Sequence, residues 1–139
     1  MSDNSTSKSN SQFWNELCGS NVARGLGISE LNSESLKKFD DWFFNFYPYL
    51  YTHLEPIVDQ GERVVEVCLG FGSVASYLIT RGVDYLGIDI AEGPTSIVNL
   101  RGEICGLTEN SAVLADVLNL QQFESSEFGG AVEIGRAHV

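Results

Sequence analysis

Hydrophobic positions along this chain change their period near Gly61: helical spacing comes before it, and short β-branched runs alternating with helical stretches come after. In the first part, Leu36, Phe39, Phe43 and Phe46 fall on one face of a helix that Asn32 or Ser33 can cap and that runs to about Tyr47. Pro48 ends or kinks it, and Leu50 to Val58 continues as a second helical piece interrupted by Pro56. Phe13 to Ile28 mixes aromatic, glycine and polar residues, which predicts a short helix and then a loop. Residues 1–12 are rich in Ser, Asn and Thr and hold no apolar segment, so they read as a disordered tail and not as a secretory signal.

From Gly61 onward the pattern predicts strands and helices in turn. Arg63 to Leu69 is a Val-rich strand, and Ser73 to Arg81 is a helix with Val74, Tyr77 and Leu78 turned inward and Gly82 closing it. Asp84 to Ile90 is a second strand. The next helix takes Pro94 in its first turn and carries Ile97, Leu100 and Ile104 at helical spacing before Gly106. Ser111 to Ala115 is a third strand, Leu118 to Ser125 a short helix, and Gly130 to Val132 opens a fourth strand. Such alternation with short connections predicts an α/β fold on a parallel sheet with right-handed crossovers. The expected organisation is a tail at 1–12, a helical extension at 13–60, a partial α/β domain at 61–132 and a separate tail at 133–139.

Composition narrows the function classes. The 139 residues allow one domain with a modest core, and 43% hydrophobic against 19% charged content is globular in character. A net charge of -11 disfavours nucleic acid, and Arg24, Lys37, Lys38, Arg63, Arg81 and Arg101 form no basic stripe. No run approaches the ~18 apolar residues that cross a bilayer, so no membrane partner is expected. The three cysteines, Cys18, Cys68 and Cys105, are odd in number and lack Cys-x-x-Cys spacing; the expectation is a reducing cytoplasm with neither disulfide framework nor zinc site. Read as codons, the closing Ile134-Gly135-Arg136-Ala137-His138-Val139 fits ATCGGAAGAGCACACGTC, which, preceded by AG, resembles the start of a widely used sequencing adapter. That tail is therefore expected to be non-native, Arg136 and His138 to carry no role, and the chain to be an N-terminal fragment.

Most of the chemistry lies between Val64 and Leu78, where a β-branched run passes through two glycines into a helical pattern. Gly70-Phe71-Gly72-Ser73-Val74-Ala75 formally matches the dinucleotide fingerprint, and Asp89 follows at the distance of a ribose-binding acid. Glu66 precedes the glycines, where a carboxylate would repel a pyrophosphate and would suit a ligand bearing a cationic amine. Asp116 directly follows the third strand. Glu66, Asp89 and Asp116 are thus expected to line one rim, each offering a carboxylate to a donor on the ligand, whereas a dinucleotide requires only the second.

Val65-Glu66-Val67-Cys68-Leu69-Gly70-Phe71-Gly72 resembles the first motif of the class I S-adenosylmethionine-dependent methyltransferases. Leu86-Gly87-Ile88-Asp89-Ile90 resembles the second, and Ala115-Asp116-Val117 the third. The resemblance covers Gly61 to Val132, and the aromatic-rich region before it is similar to the helical extension often found ahead of this domain. It implies a Rossmann-like three-layer sandwich with helices on both faces of a mostly parallel sheet, the first strand central and the fourth on its other side. It also implies S-adenosylmethionine as cofactor, contacted by Glu66, Cys68, Gly70, Phe71, Gly72, Asp89, Ile90, Asp116 and Val117. The implied reaction moves a methyl group to an unidentified acceptor, a small molecule in preference to a protein. Cys68 departs from the family, which usually has glycine there, and narrows the space near the methionine moiety. Acceptor-binding residues and any base lie largely after the fourth strand in this family, so no catalytic residue is assigned and the fragment alone is expected to be inactive. His53 is expected to pack and not to act as a base. The alternatives are an NAD(P)-dependent oxidoreductase and a non-catalytic binding protein with the methyltransferase fold.

Overall fold

A computed structural model describes residues 20–116 and 130–133. Its elements run α1 (Ser20–Gly25), α2 (Ser33–Phe46), α3 (Leu50–Gln60), β1 (Val64–Val67), α4 (Ser73–Thr80), β2 (Tyr85–Asp89), α5 (Glu92–Ile104), β3 (Ala112–Leu114) and β4 (Gly130–Glu133). The helix expected at Leu118 to Ser125, Val117, residues 1–19 and residues 134–139 lie outside the described residues, whereas Glu133, expected in the C-terminal tail, ends β4.

Asn32 starts α2 with a capping box: its Oδ1 accepts from the Ser35 amide at 2.9 Å, and Ser35 Oγ accepts from the Asn32 amide at 2.9 Å. The apolar stripe of α2 differs from expectation at one edge. Leu36, Phe39 and Phe44 are buried, whereas Phe46 is 64% exposed and stacks on Trp42. The stripe is wider than one row of side chains, and Tyr77 of α4 covers the Phe44 side of it. Pro56 does not interrupt α3, which continues through it to Gln60. Pro56 and Thr52, whose carbonyl loses the helical donor, are both exposed, so water can take that carbonyl.

The four strands are parallel in the order β3-β2-β1-β4. Val64 lies opposite Tyr85 and Glu66 opposite Gly87, so the side chains of Val64, Glu66, Tyr85 and Asp89 share one face, with Gly87 leaving a gap on it. Each step from β1 to β2 to β3 moves one place in the same direction, which sets α4 and α5 side by side on that face. α2 packs on α4, and its Leu36, Phe39 and Phe44 join the core that holds Val64, Leu78, Ile97 and Val98. The N-terminal helices are thus part of the α/β core.

α5 buries Ile97 and packs Leu100 against the core as its apolar spacing suggests, but leaves the last apolar position, Ile104, outside. Pro94, Ile97, Val98, Arg101 and Gly102 are buried, while Ile104 is 45% exposed. The close approach of Gly102 to Ser111 draws the helix toward β3 and fixes its rotation. Asn99 then ties it to the start of β3: Oδ1 accepts from the amides of Ser111 and Ala112, each at 2.8 Å, and Nδ2 donates to the Ala112 carbonyl at 3.2 Å.

Candidate functional site

The chain steps outward from β1 to β2 to β3 and then returns to place β4 on the other side of β1. The carboxyl end of β1 therefore stands at the point where strand order reverses, the usual ligand position in an open α/β sheet. The loop from Cys68 to Gly72 leaves β1 at that point and enters α4. Cys68, Gly70 and Gly72 take φ values of 61°, 59° and 83°, and the Gly72 amide closes the turn on the Leu69 carbonyl at 3.1 Å. Cys68 is the one non-glycine with positive φ among the described residues. Its position thus favours glycine for backbone reasons as well as for space, because a side chain in that region costs roughly 1–2 kcal/mol.

Asp89, the last residue of β2, is 9% exposed and holds the loop. Its Oδ2 accepts from the Leu69 amide at 2.8 Å and its Oδ1 from the Ala91 amide at 2.9 Å. The Ala115 amide donates to the Asp89 carbonyl at 2.9 Å, so the stretch after β3 lies beside the end of β2. Ile90, 72% exposed, and Asp116, also exposed, are the parts of the sequence-derived site that face solvent there.

Glu66 lies deeper than the sequence suggests. It is 2% exposed, and the Tyr85 hydroxyl donates to its Oε1. Tyr85 passes over Gly87 to reach it; a Cβ on Gly87 would lie 2.8 Å from the Tyr85 oxygen. Burial pushes the Glu66 carboxyl up to about 8, with nearby Asp89 adding to the rise and the Tyr85 hydrogen bond and Arg101 opposing it. Burial and the Glu66 charge likewise push the Tyr85 phenol well above its ordinary value. Burial thus favours the protonated form of Glu66 and turns its carboxyl inward, away from the rim.

The Phe71 side chain is also turned inward, 3% exposed and stacked on Phe39 with ring centroids 4.0 Å apart. Only the backbone of Phe71 remains on the loop. Gly72 is closed over as well: a Cβ there would lie 2.8 Å from Arg101 Nε.

Arg101 is the site residue that sequence reasoning missed. It is 3% exposed; Nε donates to the Phe71 carbonyl at 3.0 Å, and Nη1 and Nη2 donate to the two oxygens of Asp40 at 2.8 and 2.9 Å. Ser73 Oγ donates to the same Asp40 carboxylate at 2.6 Å. The available signal was a lone cation in register with Pro94, Ile97 and Val98 on α5. Arg63 pairs with Asp84 before β1, and Arg81 covers the Tyr77 ring after α4, so both lie at the opposite, amino edge of the sheet.

Among the described residues no group of three His, Cys, Asp or Glu is placed to hold a metal, and no helix is long and apolar enough to cross a membrane. Neither a protein-family model, nor a curated protein, nor a solved structure matches the chain.

Proposed function

We propose that this chain carries the cofactor-binding part of an S-adenosylmethionine-dependent methyltransferase acting on an unidentified acceptor, a small molecule in preference to a protein. The reading adds a Rossmann-like sandwich with helices on both faces of the sheet and a cytoplasmic location. The observation that carries it is the charge balance at the carboxyl edge. Asp89 and Asp116 stand there, the Leu69 amide is already taken by Asp89, and the guanidinium of Arg101 is consumed by Asp40 and the Phe71 carbonyl. Asp40 also sits on Ser73 at the start of α4, where a pyrophosphate would bind. A pyrophosphate would meet the carboxylates of Asp89 and Asp116 and, among the described residues, no open guanidinium, because Asp40 and Arg101 neutralise each other; a cationic nucleoside without phosphate suits the edge better.

The residues fit such a ligand in other ways. The exposed Ile90 supplies apolar surface for a purine beside Asp89, whose remaining lone pairs suit ribose hydroxyls, and Asp116 supplies an acceptor for an exocyclic amine. When bound, the cofactor supplies an already activated methyl group for in-line displacement. The protein's share is to hold and orient it, which is where proximity contributes to rate.

Titration calorimetry of the chain with S-adenosylhomocysteine and, separately, with NADH tests the reading. Heat with the first and none with the second is the expected result. The reverse pattern would assign an oxidoreductase, and silence with both would leave a binding protein of the same architecture.

A further inference from the structure

We infer that Asp40 and Arg101 are positioning residues that clasp the glycine loop from α2 and α5 and hold it in its ligand-receiving shape; the link to a particular cofactor rests on the methyltransferase reading above. Asp40 belongs to α2 in the N-terminal extension and Arg101 to α5, yet the two meet in a two-pronged ion pair directly against the loop. Leu69, Phe71, Gly72 and Ser73 are each held by something other than the loop's own helix. Asp89 takes the Leu69 amide, Arg101 takes the Phe71 carbonyl and lies flat on Gly72, Phe39 stacks on the Phe71 ring, and Asp40 takes the Ser73 hydroxyl. The adjacent pair Phe39 and Asp40 thus seizes the loop on both sides of Gly72. A loop with three left-handed residues does not keep that shape from local preference alone, because glycine gives little bias toward any one conformation. The restraint has to come from these partners. A forked guanidinium is the group suited to it, since a lysine could not satisfy the carbonyl and both carboxylate oxygens in one plane.

The test is amide hydrogen exchange on the ligand-free chain, followed by titration with S-adenosylhomocysteine. Two variants are compared with wild type: Arg101→Lys, and the double replacement Asp40→Leu with Arg101→Met. The double variant leaves no buried charge unpaired, so it keeps the fold where a single truncation would endanger it. Loosening confined to the loop is the expected result. The Gly72 and Ser76 amides, bonded to the Leu69 and Gly72 carbonyls, exchange about tenfold faster or more, while the Cys68 and Gly87 amides, bonded to the Ile88 and Ser111 carbonyls across neighbouring strands, keep their protection. A purely structural pair would speed all four amides alike or none of them, and either result would overturn the proposal. Affinity for S-adenosylhomocysteine should fall about tenfold in parallel, and unchanged affinity with a loosened loop would overturn the positioning role. If wild type itself does not take up S-adenosylhomocysteine, the methyltransferase reading fails, while the exchange data still decide the clasp.

Discussion

Tyr85 hydrogen-bonds Glu66 across a glycine, Gly87, that leaves room for its ring to pass, and the pair is sealed beneath the loop that leaves β1. The arrangement makes stability depend on pH in an unusual direction for an acid. Glu66 rises from 4.5 to about 8 on folding, so between those values the folded chain keeps a proton that the unfolded chain releases. The contribution is fully present below the unfolded value, declines as pH rises toward the folded one, and is gone above it. At about 1.4 kcal/mol per unit, the ceiling on this loss is ~5 kcal/mol. Glu66→Gln keeps an acceptor for Tyr85 without the ionisation. Urea denaturation across roughly pH 5 to 9 will show a falling profile for wild type and a flatter one for the variant, with the variant ahead at the alkaline end. A variant that loses stability most at high pH would contradict the protonated state.

Cys68 carries a testable strain. Its φ of 61° favours glycine, and relief of about 1–2 kcal/mol is opposed by the ~0.4–1 kcal/mol of extra unfolded-chain freedom that glycine brings. The difference favours Cys68→Gly by an amount between about zero and ~1.6 kcal/mol. Cys68→Val, branched at Cβ, moves the other way by about 2 kcal/mol or more. Thermal melts of the three proteins should rank Gly above Cys above Val. If glycine melts lowest, the left-handed backbone at this position is not what sets its cost.

These two residues also mark how far the sequence could be read. The period change at Gly61 and the turn glycines reveal the order of strands and helices, because backbone preference and burial pattern are local signals. They likewise bring Gly70, Gly72, Asp89, Ile90 and Asp116 to one edge. What stayed illegible is where side chains turn once elements pack. Glu66 looks like a rim acid from its distance to Gly70, yet strand alternation and the Tyr85 hydroxyl draw it under the loop. Arg101 looks like one scattered charge until α2 supplies Asp40 from 61 residues earlier. No local pattern encodes a pairing of that separation.

Asn99 should govern the junction between α5 and β3. Its amide group serves both buried amides of Ser111 and Ala112 and returns a hydrogen to the Ala112 carbonyl. Asn99→Leu leaves those groups without partners, at roughly 1–3 kcal/mol. Asn99→Asp keeps the acceptor for both amides but sets a carboxylate oxygen against the Ala112 carbonyl in place of the donor, so a loss of about 1 kcal/mol is expected. Chemical denaturation will therefore order the proteins Asn, Asp, Leu in falling stability. Equal losses for Asp and Leu would show that the two amide bonds contribute little.

Gly102 and Ser111 offer a sharper case, since two opposing effects can be separated. A Cβ on Gly102 would lie 2.3 Å from Ser111 Oγ and 3.3 Å from its Cβ, so Gly102→Ala alone forces the helix away from the strand, at about 1–3 kcal/mol. The same change improves helix propensity by about 1 kcal/mol, a gain the clash conceals. Ser111 Oγ is buried and has no hydrogen-bond partner among the described residues, so Ser111→Ala removes a hydroxyl that contributes nothing and should be neutral or slightly stabilising. Together the two changes remove the closest contact while keeping the propensity gain. The double variant should therefore regain wild-type stability or exceed it, with a favourable coupling of about 1 kcal/mol or more in a double-mutant cycle. Simple additivity in that cycle would mean that α5 does not approach β3 as closely as the geometry at Gly102 requires.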